Sequence, residues 1–190
     1  LNCEPIPRLH ALCCENTKDF KNVINIQTAV GEKETQLDII DAGTLSTMDV
    51  KTLHLYLKTD WSKSHFRNPV KHKVNVKKLD NIIETHLSEE ECKQIDLFVL
   101  DVEGFEDSVL KGFNIKKYAP KIIIIEISDQ HQSFLDNKDI MNNFKNLREY
   151  FKQQNYILVV NDVVDNVYVR GDCENIEYLQ KKFQSSVKYA

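Results

Sequence analysis

No stretch of this chain approaches the ~20 apolar residues that a helix needs to cross a bilayer, and no signal-peptide pattern opens it. A paired-cysteine signature is missing as well. Cys3, Cys13, Cys14, Cys92 and Cys173 make an odd set of five without a C-x-x-C pair, so neither a disulfide framework nor a zinc ribbon is indicated. Asn-x-Ser/Thr sequons are absent too. Together these absences lead us to expect a soluble protein of a reducing, cytoplasmic compartment, with packed thiols and no membrane span. Positive charge is not in excess: the formal net charge is -4. A nucleic-acid partner is therefore not expected, because duplex affinity rests largely on phosphate neutralisation by Lys and Arg. Glycine is scarce, with five in all and no G-x-G among them.

What is present suits one globular domain over residues 1–190, at 42% hydrophobic and 28% charged. The most strongly patterned stretch is Ile95 to Phe113, IDLFVLDVEGFEDSVLKGF, with an echo at Lys121 to Ile127, KIIIIEI. Each half reads as an apolar strand tipped by carboxylates: Asp101 and Glu103 on the first, Glu126 on the second. Ile95 to Val102 is nearly all apolar before Asp101, the pattern of a central parallel strand covered on both faces. The helix expected after it carries Phe105, Val109, Leu110 and Phe113 along one stripe, with Glu106 and Asp107 in its first turn.

Upstream, Leu1 to Glu4 reads as the tail of a strand ending in a carboxylate. Pro7 suits the first position of a helix, whose apolar face is Leu9, Leu12 and Cys13 and whose terminator is Asn16. Val23 to Val30 alternates in period two and predicts one strand ended by Gly31, and Thr35 to Ile40 predicts another. The segment from Asp41 to Lys78 is less regular, apart from a brief strand at Val74 to Val76. It holds the single Trp61 and a basic stretch from Ser62 to Lys78 (Lys63, Arg67, Lys71, Lys73, Lys77 and Lys78, with His65 and His72) that contains no acid. That stretch is either a loop approaching an anionic substrate or a solvated surface balancing the acidic region from Glu84 to Asp107.

A helix from Leu79 to about His86 buries Leu79, Ile82 and Ile83, and Ser88 with Glu89, Glu90 and Glu91 reads as a cap and acidic first turn. After the strand Ile122 to Ile127 comes a long helix, about Lys138 to Gln154, with Ile140, Phe144, Leu147 and Phe151 at helical spacing. Strands at Tyr156 to Val160 and Asn166 to Val169 are too close in sequence to pair other than antiparallel. A helix near Asn175 to Phe183 ends the pattern.

Alternating strands and helices predict an open α/β sheet, mostly parallel, with an antiparallel pair at its C-terminal edge. In such sheets ligands bind beyond the carboxyl ends of the strands. Glu4, Ala29, Asp101, Glu103 and Glu126 all fall at or just after such ends and are expected to converge on one face. Adjacent buried carboxylates raise one another's pKa unless a cation, amine or hydroxyl intervenes, so the acids point to a ligand rather than to the core.

At these residues the chain resembles the FkbM-type S-adenosylmethionine-dependent methyltransferases. The likeness lies in Glu4-Pro5-x-Pro7, Thr28-Ala29-Val30-Gly31 and Val76-x-x-Leu79-Asp80. It lies above all in Asp96-Leu97 … Asp101-Val102-Glu103-Gly104-Phe105-Glu106 … Val109-Leu110-Lys111-Gly112, followed by Pro120-Lys121-Ile122 … Glu126. The resemblance implies a Rossmann-like class I methyltransferase sheet and methyl transfer from S-adenosylmethionine to a hydroxyl of a sugar, glycan or small metabolite. It implies that Glu4 accepts hydrogen bonds from the ribose hydroxyls, that Ala29 and Val30 border the adenine, and that Asp101 lies near the cofactor's amino group or the acceptor hydroxyl. Glu103 would orient that hydroxyl or act as its general base, and Glu126 completes the catalytic set. A divalent metal on Asp101, Glu103 and Glu126 stays open, since hard cations choose oxygen ligands.

The resemblance also places the family's first strand and helix, with the glycine-rich turn, before Leu1. The chain then reads as an N-terminally incomplete fragment of a longer enzyme, the alternative being a degenerate, non-catalytic binding domain on the same fold. A metal-dependent nuclease or phosphatase is disfavoured: Ser128 stands where the nuclease pattern wants lysine, and Asp101 is followed by Glu103 rather than by Asp-x-Asp. Trp61, His65 and Phe66 are candidates for an acceptor-facing loop, with His131 and Gln132 flanking it.

Overall fold

In the computed structural model, which describes residues 1–184, the chain divides into two compact units. The first comprises Leu1–Ser88 and Glu103–Asn114; the second comprises Glu89–Val102 and the chain from Ile115 onwards.

In the first unit, β1 (Asn2–Cys3) pairs parallel with β2 (Asn25–Ile26), and α1 (Pro7–Thr17) lies between them in sequence with Pro7 at its first turn. A second sheet has the order β3 (Ala29–Val30), β5 (Val70–Lys77), β4 (Thr35–Asp41); β3 runs parallel to β5 and β4 antiparallel to it. The single strand expected from Val23 to Val30 is thus two short ones in two sheets. The break has a local cause: the Thr28 amide turns back to the Ile26 carbonyl at 3.0 Å, and the buried Thr28 hydroxyl donates to the Asn75 carbonyl at 3.0 Å.

The brief strand expected at Val74 to Val76 is in fact eight residues long and lies at the centre of its sheet. Its period-two pattern was hidden by lysines. Lys71, Lys73 and Lys77 face solvent while Val74 and Val76 join Ile6, Ala29 and Ile39 in the core. Half of the cations in the basic stretch, Lys71, Lys73 and Lys77, are therefore on the outer face of a strand rather than in a loop, with Lys71 paired to Asp38 at 2.7 Å, while Lys63 belongs to the 3-10 turn before it and Arg67 caps that turn. Between these strands lie α2 (Val50–Tyr56), capped by Asp49, and a 3-10 turn at Lys63–Phe66. The helix α3 (Leu79–His86) buries Leu79, Ile82 and Ile83 as its spacing requires. By contrast α1 buries no residue, and Leu12 on its expected apolar face is exposed.

The second unit begins with α4 (Glu89–Cys92). Its sheet has the order β6 (Leu97–Leu100), β7 (Ile122–Glu126), β9 (Asp165–Arg170), β8 (Tyr156–Asn161). Only the β6–β7 pairing is parallel; β7–β9 and β8–β9 are antiparallel. The antiparallel C-terminal pair matches expectation, and the sheets as a whole are mixed.

The strand Leu97–Leu100 is at the edge of this sheet, not covered on both faces as its apolar run suggested: Leu97 and Val99 are 52% and 57% exposed. The core lies instead around β7, where Ile123 and Ile125 are fully buried. The long helix α7 (Lys138–Gln153) covers the sheet with Ile140, Phe144, Leu147 and Phe151, the stripe its periodicity predicts. From the same helix Arg148 forms a bidentate pair with Asp129 and reaches Asn161, Asn166 and Tyr168, tying the loop after β7 to β8 and β9. Two helices flank this region in sequence: α5 (Glu106–Lys111) belongs to the first unit, and α6 (Ile115–Tyr118) to the second. The helix α8 (Ile176–Gln184) packs on β8.

Candidate functional site

Glu103 lies three residues past the end of β6 and sits at a backbone position that few side chains adopt, with φ 52°, beside Gly104 at φ 94°. Glycine is required at 104. A Cβ there would collide with the Thr52 hydroxyl and come within 3.0 Å of Thr52 Cβ. The turn is pinned from two sides: the Thr47 hydroxyl donates to the Glu103 carbonyl at 2.6 Å, and the fully buried Glu106 carboxylate accepts from the Gly104 amide at 3.2 Å.

The Glu103 carboxylate, thus placed, accepts a hydrogen bond from the Tyr56 hydroxyl. Tyr56 is 3% exposed. It stacks on Phe66 at 5.9 Å and meets Trp61 edge-on at 5.8 Å. Nothing in the sequence marked Tyr56, because it ends a short helix inside the segment with the weakest pattern. Phe66 is buried beneath Tyr56, whereas His65 is exposed.

Elsewhere in the first unit, Glu4 lies between β1 and α1, half-buried, with Oε1 accepting from the Ile6 amide at 2.7 Å. Burial pushes its carboxyl above the usual range, and the amide partly offsets this. Ala29 and Val30 are buried on β3, Ala29 within the core cluster.

In the second unit, β6 leads into Asp101 and β7 ends at Glu126. Their parallel register pairs Leu100 with Ile125, which brings the next residues, Asp101 and Glu126, to the same end of the sheet. Their carboxyls are hydrogen-bonded to each other. Burial first, and then the negative Asp101, push Glu126 up to about 7. Asp101 is also raised, by loss of water around the carboxyl and then by Asp165, although the residue as a whole reaches solvent. Glu126 also accepts from the Ser128 hydroxyl at 3.0 Å.

Asp165, the register partner of Glu126 on β9, is a further acid at this edge that sequence reasoning missed. Only the strand pairing reveals it. Past β7, the His131 ring lies 5.2 Å from Phe134 and its Nδ1 accepts from the Ser133 amide at 3.2 Å, while Gln132 is exposed.

Set beside known proteins, the chain matches the sequence model of the Methyltransferase FkbM domain over residues 1–158. The chain belongs to the FkbM methyltransferase family. Searches of curated proteins and of solved structures found no match. The FkbM match extends past the motif block ending at Glu126 and takes in α7 and the first half of β8.

Several of the FkbM-like residues have structural work in this chain. Gly112 permits a close approach, since a Cβ on it would strike the Gly31 carbonyl and stand 3.3 Å from Glu32 Cα. Asp80 accepts from the Asn114 amide at 2.7 Å, and its own amide donates to the Gly112 carbonyl at 3.3 Å. Glycines 31 and 112 and Asp80 thus lock β3, α3 and the end of α5 together. Asp80 and Glu106 are thus structural carboxylates, unlike the strand-end acids Glu4, Asp101, Glu103 and Glu126.

Proposed function

We propose that this protein is an S-adenosylmethionine-dependent O-methyltransferase acting on a hydroxyl of a sugar, glycan or small metabolite. The observation that carries the reading is the FkbM match over residues 1–158, which spans both compact units and supports treating them as parts of one methyltransferase-like domain.

The donor groups suit the cofactor. A half-buried Glu4 with one oxygen fixed by a backbone amide fits a ribose diol, whose two hydroxyls would both donate to it. Ala29 and Val30 offer small apolar surface for the adenine, and Asp101 offers charge to an amino group. When bound, S-adenosylmethionine supplies an electrophilic methyl group on a sulfonium.

In this reading Glu103 holds the acceptor hydroxyl in line and takes up its proton as the new bond forms. Tyr56 donates to the charged form of Glu103 and so keeps the carboxylate oriented. Alignment contributes more than proton removal, because the sulfonium is already a strong electrophile.

Calorimetric titration with S-adenosylmethionine tests the cofactor assignment. Saturable heat is expected for the wild type, with Glu4→Gln weakening the affinity about tenfold, or ~1.4 kcal/mol. Absence of binding by the wild type would contradict the reading.

A further inference from the structure

Arg8 sits at the wrong end of its helix. It lies in the first turn of α1, which holds no acidic residue, and a cation at a helix N-terminus opposes the dipole. Its partner is Asp41, the last residue of β4. Arg8 Nε donates to Asp41 Oδ2 at 2.8 Å and Nη2 donates to Oδ1 at 2.5 Å, a bidentate pair. The carboxylate is the fixed member, with its side chain 6% exposed against 57% for that of Arg8. Asp41 Oδ1 also accepts from the Gly43 amide at 3.2 Å, and His72 Nε2 stands 3.5 Å from Oδ2. Glu4 is nearer to Arg8 in sequence, two residues before the N-cap Ile6. Arg8, Asp41 and His10 all lie close enough to Glu4 to act on its charge. Yet among the described residues no hydrogen bond joins Arg8 to Glu4, whose Oε1 accepts from the Ile6 amide at 2.7 Å.

We propose that Asp41 is a positioning residue for the cofactor site: it holds the Arg8 guanidinium away from Glu4 and so keeps the Glu4 carboxylate open to a ribose diol. An ionised carboxylate offers about four lone-pair sites. The Ile6 amide takes one and a diol takes two, so a bidentate guanidinium no longer fits on Glu4. Arginine keeps its charge throughout, and one placed this near Glu4 has to be engaged by a second anion. Asp41, buried and fixed by the Gly43 amide, has the rigidity for that task. The Arg8 guanidinium holds the Asp41 carboxyl below the usual range, whereas burial holds Glu4 above it, the division expected when the cation has chosen Asp41. The inference deepens the methyltransferase reading and rests on it for the identity of the diol.

The test compares the wild type, Asp41→Asn, Arg8→Met and the double variant. Carboxyl-carbon NMR follows the titration of Glu4, and calorimetry follows S-adenosylmethionine. In Asp41→Asn the released guanidinium is expected to pair with Glu4, lowering its titration by about one unit or more and weakening the cofactor about tenfold. Removing Arg8 as well is expected to return Glu4 above the ordinary glutamate range and the affinity to within about twofold of the wild type. Arg8→Met, a change at an exposed side chain, is expected to leave the affinity within about twofold by itself. A salt bridge that only anchors α1 to β4 predicts the opposite: equal losses in all three variants, with no rescue. Identical Glu4 titrations in Asp41→Asn and the double variant, equal affinity losses in those two, or a tenfold loss in Arg8→Met alone would each overturn the proposal. Failure of the wild type to bind S-adenosylmethionine would contradict the transferase reading, while the Glu4 titrations still decide whether Asp41 keeps Arg8 from Glu4.

Discussion

Glu126 owes its raised pKa to burial and to the adjoining Asp101, and this has a consequence for stability. An unfolded glutamate releases its proton near 4.5, whereas the folded group keeps it until about 7. Between those values the folded chain binds more protons, so stability falls as pH rises through the window. Urea denaturation at pH 5 and pH 8 is expected to show a loss on the order of 1 kcal/mol from this group. Glu126→Gln should flatten that dependence, and an unchanged slope in the variant would assign it elsewhere. Gly104 allows a second test at the same scale. Its φ of 94° and its contact with Thr52 make Gly104→Ala destabilising by roughly 2 kcal/mol or more, read from the denaturation midpoint.

Among the elements, β6 is where pattern and packing part company. Leu97 and Val99 are exposed on an edge strand, so Val99→Thr is expected to change stability by no more than ~0.5 kcal/mol. Ile125→Ala on the buried neighbour β7 should lose about 3 kcal/mol. Equal losses at the two positions would contradict the edge assignment.

The contrast shows what the residues themselves could tell. Helices were legible where an apolar stripe recurs, as in α3 and α7, because burial of one face sets their period. The strand β5 was not, since its outward positions are lysines that read as a basic loop until β3 and β4 are seen on either side. An apolar run such as Leu97–Leu100 reports affinity for a core and cannot say how many neighbours will cover it. The carboxylates of the candidate site were legible as strand ends, whereas Asp165 and Tyr56 reach their partners through tertiary pairing that no local pattern encodes.

For the molecule as a whole, the FkbM match across residues 1–158 and the carboxylates at the matching motif positions make one account of acceptor, cofactor and proton. Glu103 is its centre, with its backbone set by Gly104 and its carboxylate held by Tyr56. The most direct test is transfer of label from methyl-tritiated S-adenosylmethionine to a panel of pyranosides and oligosaccharides. The account expects a product carrying one new methyl ether, formed only when the protein is added and about a hundredfold slower with Glu103→Gln than with the wild type. Unlabelled saccharides throughout, or equal rates for the wild type and Glu103→Gln, would contradict it.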